Sequence, residues 1–539
     1  MSKHDEKIEE FDAVVVGAGF TGLYQLYKFR QLGLKVQVLE AGTGVGGTWY
    51  WNRYPGARTD SESNVYQYWF SDELLDEWDW GERFPGQEET ERYLNYVADK
   101  FELKKDIRFG SRVTAATYNE DTMRWAITTE DGSTISCQFF VMGAGALTIP
   151  NTPDIPGIAN FKGTTVHTSR WPRKGIDLAG KRVGVIGTGA TGIQVIQTIA
   201  DQVGSLTVFQ RTPNYAIPMN NPKYDDEDRR KIRAEYPKIR EQVNKTFGGH
   251  SWGSDEQPFF EVSKQKREAR LKELWEDGSL KLWAGSYADL WMDEEVSKVF
   301  SKFVAEHIRA RVDDPAVAEK LIPTDHQFGT RRVPLETRYF EAYNRENVHL
   351  IDVNEDPIDH VDATGISTHS GHHDLDILIF ATGFDAGTGA LTSVDIRGRD
   401  QRLLREEWNS NGINTFLGMQ VNGYPNMFVV VGPMSPAAAF CNVPTCVQQQ
   451  VDWITDCVSF VRNKGSEAIE PSAEAEAAWG QHHDELAAEA LVTKTDSWYT
   501  GANIEGKPRR LLSYIGGVPD YQAHCDKERD SGFAHCVFY

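Results

Sequence analysis

Two glycine-rich turns in this 539-residue chain have the residue types and spacing that cradle phosphate. Gly17-Ala18-Gly19-Phe20-Thr21-Gly22 follows the apolar run Ala13 to Val16. Gly187-Thr188-Gly189-Ala190-Thr191-Gly192 follows Val183 to Ile186. In a strand–turn–helix unit the first glycine makes the tight turn, the second lets backbone approach a pyrophosphate, and the third lets helix and strand pack closely. The free N–H groups of the helix start then bind the pyrophosphate. The residues that follow each turn differ. Glu40 ends the apolar segment Val36 to Leu39, where a carboxylate accepts from a ribose diol and repels a 2′-phosphate; that suits FAD or NAD. Leu206 to Phe209 ends instead in Gln210-Arg211-Thr212, with no acid. A guanidinium and a hydroxyl there fit the 2′-phosphate of NADP(H). Read alone, Glu40 and Arg211 are ordinary solvated strand-end charges. Their distance from the glycine turns favours the nucleotide reading.

These turns need strands and helices to hold them. The pattern is α/β, with two dinucleotide-binding (Rossmann-like) domains and a helical insertion in the second. Residues 1–150 form a first unit that ends in the apolar strand Phe139 to Met142 and Gly143-Ala144-Gly145. Pro150, Pro153 and Pro156 mark a crossing to a second unit. That unit takes residues 151–220 and 326–384, with strands at Val348 to Ile351 and Leu375 to Phe380. The charged, glycine-poor stretch 221–325 has helical spacing, as in Glu294 to Val312, and reads as the insertion. From 385 to 539 the chain returns to the first domain, with a strand at Met427 to Val431 and helices at Thr445 to Val461 and Ser472 to Ala490. The tail from His524 to Tyr539 has no assignable role.

Composition narrows the class. A chain this long needs more than one core. No apolar run reaches the roughly 18–20 residues that span a bilayer, and Met1 to Glu10 is charged, unlike a signal peptide. No membrane partner and a cytoplasmic location are therefore expected. A formal charge of −22 argues against nucleic acid. The six cysteines are scattered without a CxxC pair, so no metal site and no dithiol chemistry is expected, and reduced thiols are.

Between the two units lies Phe161-Lys162-Gly163-Thr164-Thr165-Val166-His167-Thr168-Ser169-Arg170-Trp171-Pro172. It resembles the FxGxxxHxxxWP fingerprint of the type I Baeyer–Villiger monooxygenases, class B flavoprotein monooxygenases, with every fixed position present. Gly46 to Arg58 (GGTWYWNRYPGAR), followed by Asp60 and Tyr66, looks like that family's flavin-side segment. Ala381-Thr382-Gly383-Phe384-Asp385 matches its second domain crossing, and Ser497-Trp498 with Gly501-Ala502-Asn503-Ile504 its nicotinamide-side segment. The likeness covers nearly the whole chain. It implies FAD bound through Gly17, Gly19, Gly22, Glu40, Thr48, Trp49, Tyr50, Trp51, Arg58, Asp60, Tyr66, Val113 and Val443. It implies NADPH bound through Gly187, Thr188, Gly189, Gly192, Arg211, Thr212, Arg331 and Trp498.

The resemblance also implies a catalytic arginine at Arg332, in Phe328-Gly329-Thr330-Arg331-Arg332, with Asp60 paired to it. Arg331 departs from the lysine common there. A fixed cation stabilises a flavin C4a-peroxide and the oxyanion formed on a ketone carbonyl. By residues alone Arg332 would be an exposed arginine in a basic turn, and His167 a brace for the domain crossing. The implied function is NADPH- and O2-dependent insertion of one oxygen atom beside a ketone carbonyl, giving an ester or lactone. Nitrogen- or sulfur-oxygenating flavin enzymes and NADPH oxidases share the cofactors. A disulfide reductase would need a cysteine pair near the flavin, and a nucleotide-sensing scaffold would not need Asp60 with Arg332. The loop Pro433 to Val443, with Ala437, Ala438, Ala439 and Phe440, suggests an apolar substrate pocket. The particular ketone and the oligomeric state are not legible.

Overall fold

The structure is a computed structural model and describes residues 8–539. Most of the charged start, Met1 to Lys7, lies outside the described residues. Two sheets dominate, the smaller all parallel and the larger mixed, with Arg124–Thr129 antiparallel to both its neighbours. The larger runs Asp395–Arg397, Val113–Asn119, Arg124–Thr129, Thr134–Met142, Glu9–Val16, Val36–Leu39 and Ile107–Arg108, with Met427–Val429 also paired to Thr134–Met142. The smaller runs Val348–Asp352, Ser205–Gln210, Arg182–Ile186, Ile377–Phe380 and Thr164–His167. Parallel strands are buried on both faces, which is why their sequences are nearly continuous apolar runs. Val14, Val15, Phe139 and Val141 are fully buried in the first sheet, as are Val183, Val185 and Ile379 in the second.

The strands expected from sequence are present with small shifts at their ends. Leu375 is not part of its strand, because its N–H bonds Thr364 O in the preceding turn. Between Ile217–Pro218 and Leu335–Glu336 every regular element is helical, the long ones being Asp226–Gln242, Lys264–Asp277 and Glu294–Arg311. Asp225 and Asp293 cap two of these by accepting from backbone N–H groups of the first turn. Val296, Phe300, Val304 and Ile308 face inward at helical spacing and share one core with Val183 and Leu206 of the smaller sheet and Ile193 of the helix Ala190–Ile199. The stretch therefore leaves the sheet in sequence but not in packing.

The tail is ordered into the fold. Gly517–Asp530 is a helix, and Cys536–Phe538 pairs antiparallel with Ile469–Pro471. Cys441 and Cys446 lie side by side, their Cα atoms 6.5 Å apart. Cys441 ends a loop and Cys446 lies in the first turn of the helix Val443–Lys464, so a spacing of five folds back on itself. Cys137, Cys457 and Cys525 are buried free thiols.

Candidate active site

Both glycine turns sit at the C-terminal ends of their strands, where open parallel sheets bind ligands. Gly17 and Gly187 take φ of +97° and +108°, a region that favours glycine. The third glycines are needed for contact: a Cβ on Gly22 would meet Gly17 O at 1.7 Å, and one on Gly192 would meet Gly187 O at 2.2 Å. A Cβ on Gly189 would meet nothing within 4 Å, because that glycine faces open cavity.

The helices that follow, Phe20–Gln31 and Ala190–Ile199, start at Gly19 and Gly189. Neither has a side-chain cap or an acid in its first turn. Some helix starts elsewhere are capped, as at Asp225, Asp293 and Ser472, and others, such as those of Gln87–Lys100 and Val443–Lys464, are not. A helix start left uncapped presents free N–H groups and a partial positive charge. The starts at Gly19 and Gly189 both face one cavity of about 1670 Å³. That exceeds the roughly 300–1,000 Å³ of a cleft for one small ligand. The donor set therefore fits two pyrophosphates in one space.

The selector residues stand where strand order requires. Glu40 is buried and accepts from Ala18 N at 2.7 Å and Gly42 N at 2.6 Å, which fixes its carboxylate at the rim of the first turn. Burial pushes its pKa up, and those backbone donors pull it back. Arg211 is exposed on the cavity rim. Thr188 Oγ1 donates to Thr212 O at 2.8 Å, tying the second turn to the end of its selector strand. Arg331 pairs with Asp325 at 3.0 Å, while its Nε is buried without a partner.

Thr48, Trp49, Trp51, Arg58, Asp60, Tyr66, Val113, Val443 and Trp498 all line the cavity, with Gly17, Gly19, Gly187, Thr188, Gly189, Arg211, Thr212 and Arg331. Trp49 Nε1 donates to Tyr66 OH at 3.2 Å, and Arg58 is engaged by Phe84 O at 3.0 Å. Gly22, Gly192 and Tyr50 lie outside the wall. The two glycines are buried in helix–strand contacts. The Tyr50 hydroxyl turns to Thr43 N at 2.9 Å, with Arg173 over its ring.

Arg332 projects into the same cavity from the end of the helical stretch. Its Nη2 lies 3.2 Å from Asp60 Oδ2, its Nη1 donates to Ala438 O at 3.2 Å, and its guanidinium lies over Trp283. Asn214 holds the Arg332 carbonyl at 2.9 Å. A carboxylate from one unit, the carbonyl of Ala438 and an indole face thus fix this cation in place. Burial pushes the Asp60 carboxyl above the usual range, and the Arg332 guanidinium opposes that shift. Asp60 Oδ1 is buried without a partner.

His167 does not line the cavity. Its Nδ1 lies 2.8 Å from Ser169 Oγ, at the last residue of the edge strand Thr164–His167. Burial lowers its pKa to about 4, so it is neutral. The crossing beside it is a paired one: Asn151 N donates to Gly383 O, Asp385 N donates to Ile149 O, both at 2.9 Å, and Asn503 Nδ2 reaches Phe384 O.

Sequence reading missed His250. Its ring stacks on Trp252 at 4.4 Å, lines the cavity, and keeps a buried Nδ1 without a partner. Burial, helped by the charge of Arg332, lowers its pKa to about 3. A lone histidine after a glycine pair carried no spacing signal. It also missed Trp283, Trp291 and Phe247, which with Phe440 form an aromatic wall: Trp283–Trp291 5.1 Å, Trp291–Phe440 5.5 Å, Phe247–Trp291 6.3 Å.

Comparison with known proteins agrees with this geometry. The pyridine nucleotide-disulphide oxidoreductase family matches residues 14–248. The acetone monooxygenase (methyl acetate-forming) of Gordonia sp. (strain TY-5) is 50% identical over 512 residues, 95% of this chain and 96% of that one. The chain belongs to the Baeyer–Villiger monooxygenases. Cyclohexanone monooxygenase from Rhodococcus sp. Phi1 bound to NADP+ superposes with a TM-score of 0.96, at 38% identity over 99% of both chains. OTEMO in complex with FAD and NADP gives 0.94, at 41% identity over 99% of this chain and 100% of that one. This enzyme is accordingly an FAD-dependent oxidoreductase that uses NADPH and O2 to insert oxygen beside a ketone carbonyl. The disulfide-reductase alternative falls to these full-length relatives. Among the described residues no helix is long and apolar enough to cross a membrane.

Proposed function

We propose that the enzyme oxygenates small apolar ketones, and that Arg332 polarises the carbonyl and stabilises the oxyanion that forms on it while Asp60 aims the guanidinium. The observation that carries this reading is the position of Arg332. It is the cation clamped by Asp60 and Ala438 O in the cavity onto which both glycine turns open. A preformed cation needs no reorganisation as negative charge develops on oxygen, and it acts strongly where water is excluded. Bound FAD and NADPH supply the hydride transfer and dioxygen activation, and the protein supplies binding, orientation and shielding. In this reading the first glycine turn with Glu40, Thr48, Trp49, Trp51, Asp60 and Tyr66 holds FAD. The second turn with Arg211, Thr212, Arg331 and Trp498 holds NADPH. Residues 1–150 and 385–539 would form the flavin unit, 151–220 and 326–384 the nicotinamide unit, and 221–325 the insertion.

The substrate class follows from the walls. Beside Arg332 stand Trp283, Trp291, Phe440 and Phe247, with Ala438 and Ala439. These rings give apolar surface around the Arg332 handle, with the His250 ring as a further polar group in the wall. The relative named for acetone supports the small end of the range. A ketone panel from acetone through cyclohexanone to a steroid, with products identified by mass spectrometry, tests the reading. Esters from the small ketones at the highest kcat/KM are expected. A preference for the steroid, or thioether oxidation without any ester, would overturn it.

A further inference from the structure

We propose that His482, Asp520 and His524 form a binding site for one divalent transition-metal ion of the zinc class, on the face of the molecule behind the substrate loop. His482 comes from the helix Ala473–Ala488, and Asp520 and His524 are one turn apart on Gly517–Asp530. Residues four apart on a helix share a face, so one helix presents a carboxylate and an imidazole together. The second helix brings the other imidazole over them, with the two rings 4.7 Å apart. One ligand atom from each residue lies within 4.8 Å of the other two. His524 Nε2 is 3.8 Å from Asp520 Oδ2. Zinc bonds of about 2.0–2.2 Å to nitrogen and oxygen place tetrahedral ligands roughly 3.3–3.5 Å apart. Half-exposed side chains on helix surfaces close that difference by rotation about χ1 and χ2.

A fourth group stands beside these three. The Tyr514 hydroxyl sits among the three, 2.8 Å from His482 Nε2 and hydrogen-bonded to Asp520 Oδ2. It can stay as an outer partner that orients the imidazole and the carboxylate, with water completing the coordination. Two imidazoles and one carboxylate select zinc, nickel or copper over magnesium or calcium, which require oxygen ligands.

The position gives the site a consequence. Trp479, packed on both imidazoles at 5.3 Å, donates from Nε1 to Met434 O at 3.2 Å. Tyr514 N donates to Ser435 O at 2.9 Å, and Ala437 N donates to Ser513 Oγ at 3.2 Å. An ion held between the two helices therefore clamps the backing of the loop that carries Ala438 and Phe440. It touches neither the nucleotide turns nor Arg332.

Chelator-treated, FAD-loaded enzyme titrated with Zn2+ alone tests the proposal by calorimetry and thermal unfolding. One equivalent per chain and a rise in the unfolding midpoint are expected, since an ion that binds only the folded state stabilises it. His482→Gln and His524→Gln should each weaken Zn2+ by more than the roughly 10–100-fold that loss of an outer partner costs. His524 has no hydrogen-bond partner among the described residues, so its substitution should leave the fold and metal-free ketone oxygenation unchanged. Mg2+ should not bind. Absence of a one-equivalent Zn2+ phase in the wild type would overturn the proposal and leave His482–Tyr514–Asp520 a hydrogen-bonded brace. Equal Zn2+ binding by the His524→Gln enzyme, whose ion would then sit elsewhere, would overturn it too.

Discussion

At the scale of single residues, the weight rests on Arg332. A guanidinium fixed by Asp60 and Ala438 O is costly to replace because its charge, its fork and its place over Trp283 all matter. Arg332→Ala should accept hydride from NADPH at the flavin and yet lose ester formation by on the order of 10²–10³ or more. Stopped-flow bleaching of the flavin alongside product assay separates the two steps, and ester at wild-type yield would remove Arg332 from the chemistry. Arg211→Ala should lose its advantage with NADPH over NADH, because an exposed guanidinium on the rim has little to do except meet a phosphate. An unchanged KM ratio would pass that role to Arg331. Both arginines were legible in the chain only through their company: Arg211 by its distance from a glycine turn, Arg332 by family likeness. His250 had no such company. It becomes visible only when folding sets it against Trp252 and in the cavity wall.

At the scale of elements, the two uncapped helix starts that open on the cavity are the clearest design. Gly189→Ala is the informative change. Its Cβ meets no protein atom within 4 Å, so the unfolding midpoint should hold, while the methyl group fills space that a pyrophosphate must approach. KM for NADPH should rise several-fold with FAD content intact. Gly192→Ala should behave differently, because its Cβ would overlap Gly187 O at 2.2 Å and pry the helix off its strand. That variant should be unstable whether or not nucleotide is present; thermal unfolding with and without NADP+ checks the contrast. The strands and the glycine turns were legible because their signals are local, with four to six apolar residues and fixed glycine spacing. The aromatic wall was not, because Trp283 and Trp291 come from the helical stretch, Phe247 from a turn within it and Phe440 from a distant loop. The approach of Cys441 to Cys446 was missed for a related reason: a spacing of five meets only when a loop runs straight into a helix start.

At the scale of the whole molecule, buried titratable groups set how stability responds to pH, and they do not all act with one sign. Burial holds His483 neutral with a pKa of about 4, its Nε2 facing Leu511 O at 2.8 Å. The folded value lies below the unfolded value of about 6.5, so the unfolded chain binds the proton first. Its contribution is fully present above pH 6.5 and is lost as pH falls toward 4. Glu476 acts in the opposite sense. Burial first, then Glu407 and Glu470 nearby, raise its pKa to about 7, although Asn422 N donates to it. Its folded value exceeds the unfolded value of about 4.3, so the folded chain holds the proton and stability falls as pH rises from about 4.3 through 7. A bulk charge of −22 blurs both effects in the wild type alone. Differences against variants isolate them. The wild type's advantage over His483→Gln should shrink as pH drops from 7 to 4, whereas its deficit against Glu476→Gln should grow as pH climbs from 4 to 7. Denaturant midpoints taken across that range decide it. Parallel curves for either pair would mean that the group titrates alike in folded and unfolded chains, and that its burial is relieved by water the packing admits.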